Sequence, residues 1–171
     1  MKSFLKKKNM NINYESYIAP HFQLKEFTNS KIAKKLNINN EPTLLVLNHL
    51  KELATNLLEP FRQWYDKPVK VTSGFRCNSL NKAVGGSPTS VHPLGWGADI
   101  LPVKDKFEDF LKAWDEFLAQ HPEIKFDQII LEKSKKEQWL HVGLKNGAGK
   151  QRMQRFTLQV KDDKNTEGST E

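Results

Sequence analysis

Between Pro42 and Tyr65 apolar residues recur every three or four positions, at Leu47, Leu50, Ala54, Leu57, Leu58, Phe61 and Trp64. That is the period of a helix with one buried face. Pro60 falls inside the run and has no amide proton to give, so a kink or a split is predicted there. Phe107, Phe110, Leu111, Trp114, Phe117 and Leu118 predict a second amphipathic helix that stops before Pro122. Upstream, Thr28, Asn29 or Ser30 can cap a short helix reaching Leu36, with Leu24 and Phe27 packing just ahead of it. The period becomes two where Val69 and Val71 alternate with Lys70 and Thr72. Further strands are read at Ala98 to Val103, Phe126 to Leu131, Trp139 to Leu144 and Met153 to Val160. The glycine-bearing turn Lys145 to Lys150 predicts an antiparallel hairpin between the last two. A long connection, Gly74 to Trp96, is broken by Pro88 and Pro93 and has room for one helical turn near Leu80 to Val84. Loops of that length are uncommon unless they carry function.

Helices in the first half followed by clustered strands predict a small single α+β domain, its helices packed on a mostly antiparallel sheet. The domain is expected over 21–160, after a flexible leader at 1–20 and before a tail, 161–171, expected to be disordered because no apolar residue follows Val160. With 171 residues, 37% of them apolar, the chain can bury one core. No stretch approaches the roughly 18 apolar residues of a spanning helix, and the basic start lacks the apolar run of a secretory signal. A monomer without a membrane span is expected. The single cysteine, Cys77, cannot form an internal disulfide, so packing or a metal has to supply stability. A net charge of +7 favours polyanions, nucleic acid and bacterial cell wall alike, but no basic stripe with interleaved aromatics points to specific nucleic-acid binding.

Of the five histidines, His21, His49 and His121 occupy leader, helix and helix-end positions that suggest packing or surface roles. His92 comes from the glycine-rich loop, seven residues before Asp99 at the start of a strand, and His141 lies in a later strand between Trp139 and Gly143. A loop-to-strand bend can bring His92 and Asp99 together. Two imidazoles and one carboxylate suit Zn²⁺ and leave a fourth tetrahedral position open, the pattern of a catalytic zinc.

The surrounding residues narrow this. Ser73-Gly74-Phe75-Arg76, Leu80-Asn81, Val84-Gly85-Gly86-Ser87, the run Ser90-Val91-His92-Pro93-Leu94-Gly95-Trp96-Gly97-Ala98-Asp99-Ile100, and Trp139-Leu140-His141-Val142 resemble the M15 family of zinc peptidases. The likeness runs from about Phe22 to Leu144 and is greatest to the branch of D-Ala-D-Ala carboxypeptidases and phage endolysins. It implies a hedgehog/DD-peptidase-like fold, zinc as cofactor with His92, Asp99 and His141 as its ligands, Arg76 as a catalytic and substrate-binding arginine, and Ser90 as a substrate-side serine beside the metal. Arginine suits that role because its planar fork of donors matches a carboxylate or an oxyanion.

The general base departs from the family's best-known pattern, which places Glu three residues before the last His. Here that position is Gln138, which cannot take a proton from water. Phe126-Asp127-Gln128-Ile129-Ile130-Leu131-Glu132 matches the F-D-Q-x-I-x-E strand of the branch and favours Glu132, with Glu137 as the other candidate; strand register decides between them. Cys77 as a nucleophile would leave the His92–Asp99 spacing unexplained. The resemblance implies a zinc-dependent peptidase acting on stem or cross-bridge peptides of peptidoglycan, as carboxypeptidase or endopeptidase. With no visible signal, a protein held in the cytoplasm until lysis, as in a phage, is expected. The other reading is a non-catalytic, zinc-containing module that binds cell wall or virion.

Overall fold

A computed structural model describes residues 11–160 of the chain. Residues 11–20, expected within the flexible leader, pack on the domain: Tyr17–Ala19 (β1) pairs with Phe22–Gln23 (β2), and Ala19 is buried. The apolar residues Ile12, Tyr14 and Ile18 supply the contact surface. The first ten residues and the tail 161–171 lie outside the described residues. A short helix not foreseen from periodicity, α1 (Leu24–Thr28), follows at once and buries Leu24 and Phe27. The next, α2 (Lys31–Lys35), begins as expected with the Ser30 hydroxyl accepting the Ala33 amide at 3.1 Å.

The long amphipathic run is two helices, α3 (Leu44–Leu53) and α4 (Glu59–Tyr65), joined by a single π turn at Ala54–Leu58. Pro60 directly follows the π turn, where the Glu59 amide bonds the Ala54 carbonyl, and this local widening accommodates a residue with no amide proton inside a continuous helical run. A left-handed residue, Asp66, ends α4. The core lies between these helices and α6 (Phe107–Gln120): Phe61 stacks on Trp114 at 3.8 Å and meets Phe110 and Phe117 edge-on. Between them in sequence, α5 (Asn78–Ala83) is capped by Cys77, whose Sγ accepts the Leu80 amide at 3.5 Å.

One five-stranded sheet carries the rest, in the order β3-β4-β6-β5-β7, with β3 at Val69–Ser73, β4 at Gly97–Pro102, β5 at Gln128–Lys133, β6 at Gln138–Gly143 and β7 at Gln154–Gln159. Three of its four pairings are antiparallel, so the fold class is α+β as expected. The hairpin is not where the turn residues placed it. Both edges of β6 are already taken, by β4 and β5, so β7 passes to the far side of β5 and pairs with it in parallel. That crossing is pinned at its start by Asp127, fully buried, which accepts Arg152 Nε and Nη2 at 2.7 and 2.8 Å. The hairpin is instead β5–β6, closed by residues 134–137.

Candidate metal centre

Strand alternation determines what faces what. Ala98, Ile100, Leu140 and Val142 point into the core, so Asp99 and His141, which stand opposite each other in β4 and β6, share the other face of the sheet. The third group comes from the loop. His92 opens a 3₁₀ turn, His92–Leu94, closed by Gly95 at φ 75°, a left-handed conformation in which a side chain would also strike the Val46 carbonyl. Behind that turn the Trp96 ring stacks on His49 at 3.8 Å while Lys145 sits over it, and His49 Nδ1 bonds the Leu94 carbonyl at 2.7 Å. Both His49 and Trp96 are thus packing residues that hold the His92 turn against α3.

His92, Asp99 and His141 are all buried, and one ligand atom from each lies within 4.8 Å of the others. His92 Nε2 is 3.2 Å from both Asp99 Oδ1 and His141 Nδ1, and His141 Nδ1 is 2.9 Å from Asp99 Oδ1. The donor set fits a metal ion in three further respects. His92 Nδ1 donates to the Gly74 carbonyl at 2.6 Å, which fixes the tautomer and leaves Nε2 as the lone-pair nitrogen. Asp99 turns only Oδ1 toward the imidazoles, since Oδ2 accepts Arg76 Nη1 at 3.3 Å. At Gly97 a Cβ would come within 3.0 Å of the His141 ring, so the bare backbone leaves room for that imidazole. Burial holds His92 below its usual range, hence neutral. Burial works the other way on Asp99, but the surrounding His92, His141 and Arg76 outweigh it and hold the carboxyl well below the usual carboxylate range. Neutral imidazole and carboxylate are the forms that bind metals.

Around this triplet the sequence-selected residues fall as follows. Arg76 is fixed by Ser73 Oγ (2.8 Å), Asp99 and Asn81 Oδ1 (3.2 Å, from Nε), and no bond to Nη2 is seen among the described residues. Ser90 accepts the His92 amide at 3.3 Å and so steadies the turn that supplies the ligand. Glu132 lies opposite Trp139 across β5–β6, on the face that carries His141. Burial and the negative charge of Asp99 push its carboxyl up, against the pull of His141 and Arg76. The Trp139 indole nitrogen itself is buried without a hydrogen-bond partner among the described residues. Glu137 sits outside β6 in the exposed 134–137 turn, its amide bonded to Ser134 Oγ. Gln138 pairs with Lys133 on the opposite face, so no acid is displaced from the site by its being an amide.

Two contributors received no role from sequence. Asn81 is buried, orients Arg76 through Oδ1 and anchors the loop by donating to the Ser87 carbonyl at 3.0 Å. Asn40, far upstream, bonds the Phe75 carbonyl and the Cys77 amide and so clamps the backbone on both sides of Arg76. The signal for Asn81 was Gly86, where any Cβ would lie 2.2 Å from Asn81 Oδ1. Gly74 is bare for a similar reason, since a Cβ there would meet the Phe27 backbone at 2.5 Å.

A family model described as Peptidase M15 matches residues 20–142, from the start of the helical layer to the residue after His141. The chain belongs to this family. A search of curated proteins found no significant match. The match makes the M15 domain a peptidase domain and covers every residue of the triplet, Arg76, Ser90 and Glu132, while β7 lies beyond its end. No helix among the described residues is long and apolar enough to cross a membrane.

Proposed function

We propose that the protein is a zinc-dependent peptidase that hydrolyses peptide bonds in the stem or cross-bridge of peptidoglycan. The observation that carries this reading is the buried His92–Asp99–His141 triplet, flanked by Arg76, whose Nη2 has no hydrogen bond among the described residues, and by the Glu132 carboxyl. Zinc, held by His92 Nε2, Asp99 Oδ1 and His141 Nδ1, would supply Lewis acidity to the scissile carbonyl and to the attacking water. The chain's own residues do the rest. Glu132 takes a proton from the water as its oxygen bonds the carbonyl carbon, and returns it to the amide nitrogen as the C–N bond breaks. Arg76 Nη2 binds a substrate carboxylate or the oxyanion, charges that stems of D-Ala and D-Glu provide. Ser90 keeps the His92 turn in place and presents its hydroxyl on the substrate side.

Elemental analysis combined with digestion of purified peptidoglycan, with and without chelator, tests the proposal. One zinc per chain is expected, lost in His92→Ala and His141→Ala, and wall hydrolysis that stops with chelator and returns with zinc. Metal bound at one per chain without release of any peptide product would leave a wall-binding module instead.

A further inference from the structure

Strand β7 adds something the family match does not include. In the parallel pairing of β5 and β7, Ile130 stands opposite Phe156 and Glu132 opposite Leu158; on the other side Ile130 stands opposite His141, and Glu132 opposite Trp139. Partners across a ladder share a face, so Phe156 continues the row Asp99–His141–Ile130, and Leu158 continues the row Trp139–Glu132. The residue before Phe156 confirms the orientation: Arg155 pairs with Asp115 on α6, on the helix-covered face. Phe156 and Leu158 therefore face the metal side, and they are 44% and 43% exposed, with buried Ile130 as the floor beside them.

We propose that Phe156 and Leu158, with Ile130, form an apolar shelf that holds the substrate peptide a few residues away from the bond cleaved. The inference rests on the peptidase reading above and names the part of the substrate that β7 recognises. Strands lie about 4.8 Å apart, so β7, two strands from β6, is about 10 Å from His141 across the sheet. An extended peptide advances about 3.4 Å per residue, which places the shelf roughly three residues from the scissile bond. A peptide that runs from the triplet toward the β5–β7 edge of the sheet passes over this shelf. The occupant is the stem peptide itself, whose alanine methyls and diamino-acid methylenes give small aliphatic surface to cover two exposed side chains.

The test is the affinity of a synthetic stem pentapeptide ending in D-Ala-D-Ala, and of the dipeptide D-Ala-D-Ala, for zinc-loaded Glu132→Gln protein, measured by calorimetry. The pentapeptide should bind more tightly than the dipeptide, and Phe156→Ala/Leu158→Ala should erase that advantage, a loss of about tenfold. Thr157→Ala, on the opposite face of the same strand, should change nothing. An advantage that survives the double substitution, or no measurable pentapeptide binding, overturns the shelf. So does a double variant whose only change is a shift from dimer to monomer in light scattering, because the apolar pair would then be a contact between copies. Hydrolysis is scored separately on the unsubstituted enzyme: pentapeptide binding that depends on Phe156 and Leu158 without any cleavage would keep the shelf and sink the peptidase reading.

Discussion

Asp99 and Ile100 are consecutive residues of β4 and both are buried, yet they are buried for opposite reasons. On the helix-covered face Ala98, Ile100, Leu140 and Val142 are sealed against aromatic side chains, and burial there is favourable by itself, at about 25 cal/mol per Å² of apolar surface. On the other face Asp99, His141 and His92 are buried without that gain. A buried polar group costs free energy unless it is partnered. Here each one's partners are the others, the Gly74 carbonyl and Arg76. One face of the sheet makes the fold, and the rigidity it confers holds the groups of the other face within bonding distance. The difference predicts that substitutions on the two faces separate cleanly into losses of activity and losses of stability.

The largest separation should come from neighbours in β5 and β6. Glu132→Gln keeps the shape of the side chain and touches no ligand, so fold and zinc content should be retained while turnover falls by roughly 10²–10⁴-fold, the cost of losing a general base. Glu137→Gln, in the exposed turn, should be nearly silent in the same assay. If Glu137→Gln were the inactive variant instead, the proton acceptor would lie at the turn and the assignment from register would be wrong. Across the strand, Leu140→Ala empties a position only 2% exposed and should cost about 2–5 kcal/mol of stability in denaturant titration. Zinc stoichiometry in the folded fraction should be preserved. A Leu140→Ala protein of normal stability that had lost its metal would break the comparison between the faces.

Arg76→Lys gives a smaller effect that sharpens the assignment. Lysine keeps the charge next to Asp99 but cannot hold Ser73 and Asn81 while offering a further donor. Activity should drop at least tenfold, about 1.4 kcal/mol in transition-state terms, with zinc retained. Full activity in Arg76→Lys would reduce the arginine to a strut for Asp99.

How much of this was legible beforehand divides along the same line. The long helices, the strands of the five-stranded sheet and the α+β class were legible, because apolar burial repeats with the geometry of each element; α1, β1 and β2 are too short to show a period. The triplet could be picked out because His92, Asp99 and His141 are metal-binding residue types set in motifs that resemble the M15 family; the structure adds that Gly97 in one of those motifs leaves room for the His141 ring. The partner of β7 could not be read. A turn with two glycines is compatible with a hairpin, and nothing local to residues 145–160 records that β4 and β5 already flank β6. Asn40 was invisible for a similar reason: it acts on residues 35 and 37 positions later, through backbone atoms that carry no sequence signature. The same holds for residues 11–20, whose apolar members are too sparse to form a period but find the core through β1.

The smallest effect tests whether a buried polar group away from the metal side belongs to the fold alone. Glu59, at the start of α4, is 5% exposed and accepts the His21 amide at 3.1 Å, the His21 ring at 2.6 Å and the Gln63 amide at 2.9 Å. Burial would raise its carboxyl, but the bonds from His21 and Gln63 together outweigh that and leave it below the ordinary glutamate value. A carboxyl depressed in the folded state binds its proton more readily when unfolded, so its contribution is complete above the unfolded pKa of about 4.3. It disappears as pH falls through the lower folded value. Glu59→Gln keeps an acceptor but loses the charge, and should cost about 1–2 kcal/mol at neutral pH. The difference from the unsubstituted protein should shrink as pH is lowered below about 4. Zinc content and kcat should be unchanged, since Glu59 closes the contact between the β1–β2 turn and α4 and reaches nothing on the metal side. A stability gap that persisted unchanged at low pH would show that Glu59 acts through its shape, with its charge contributing nothing.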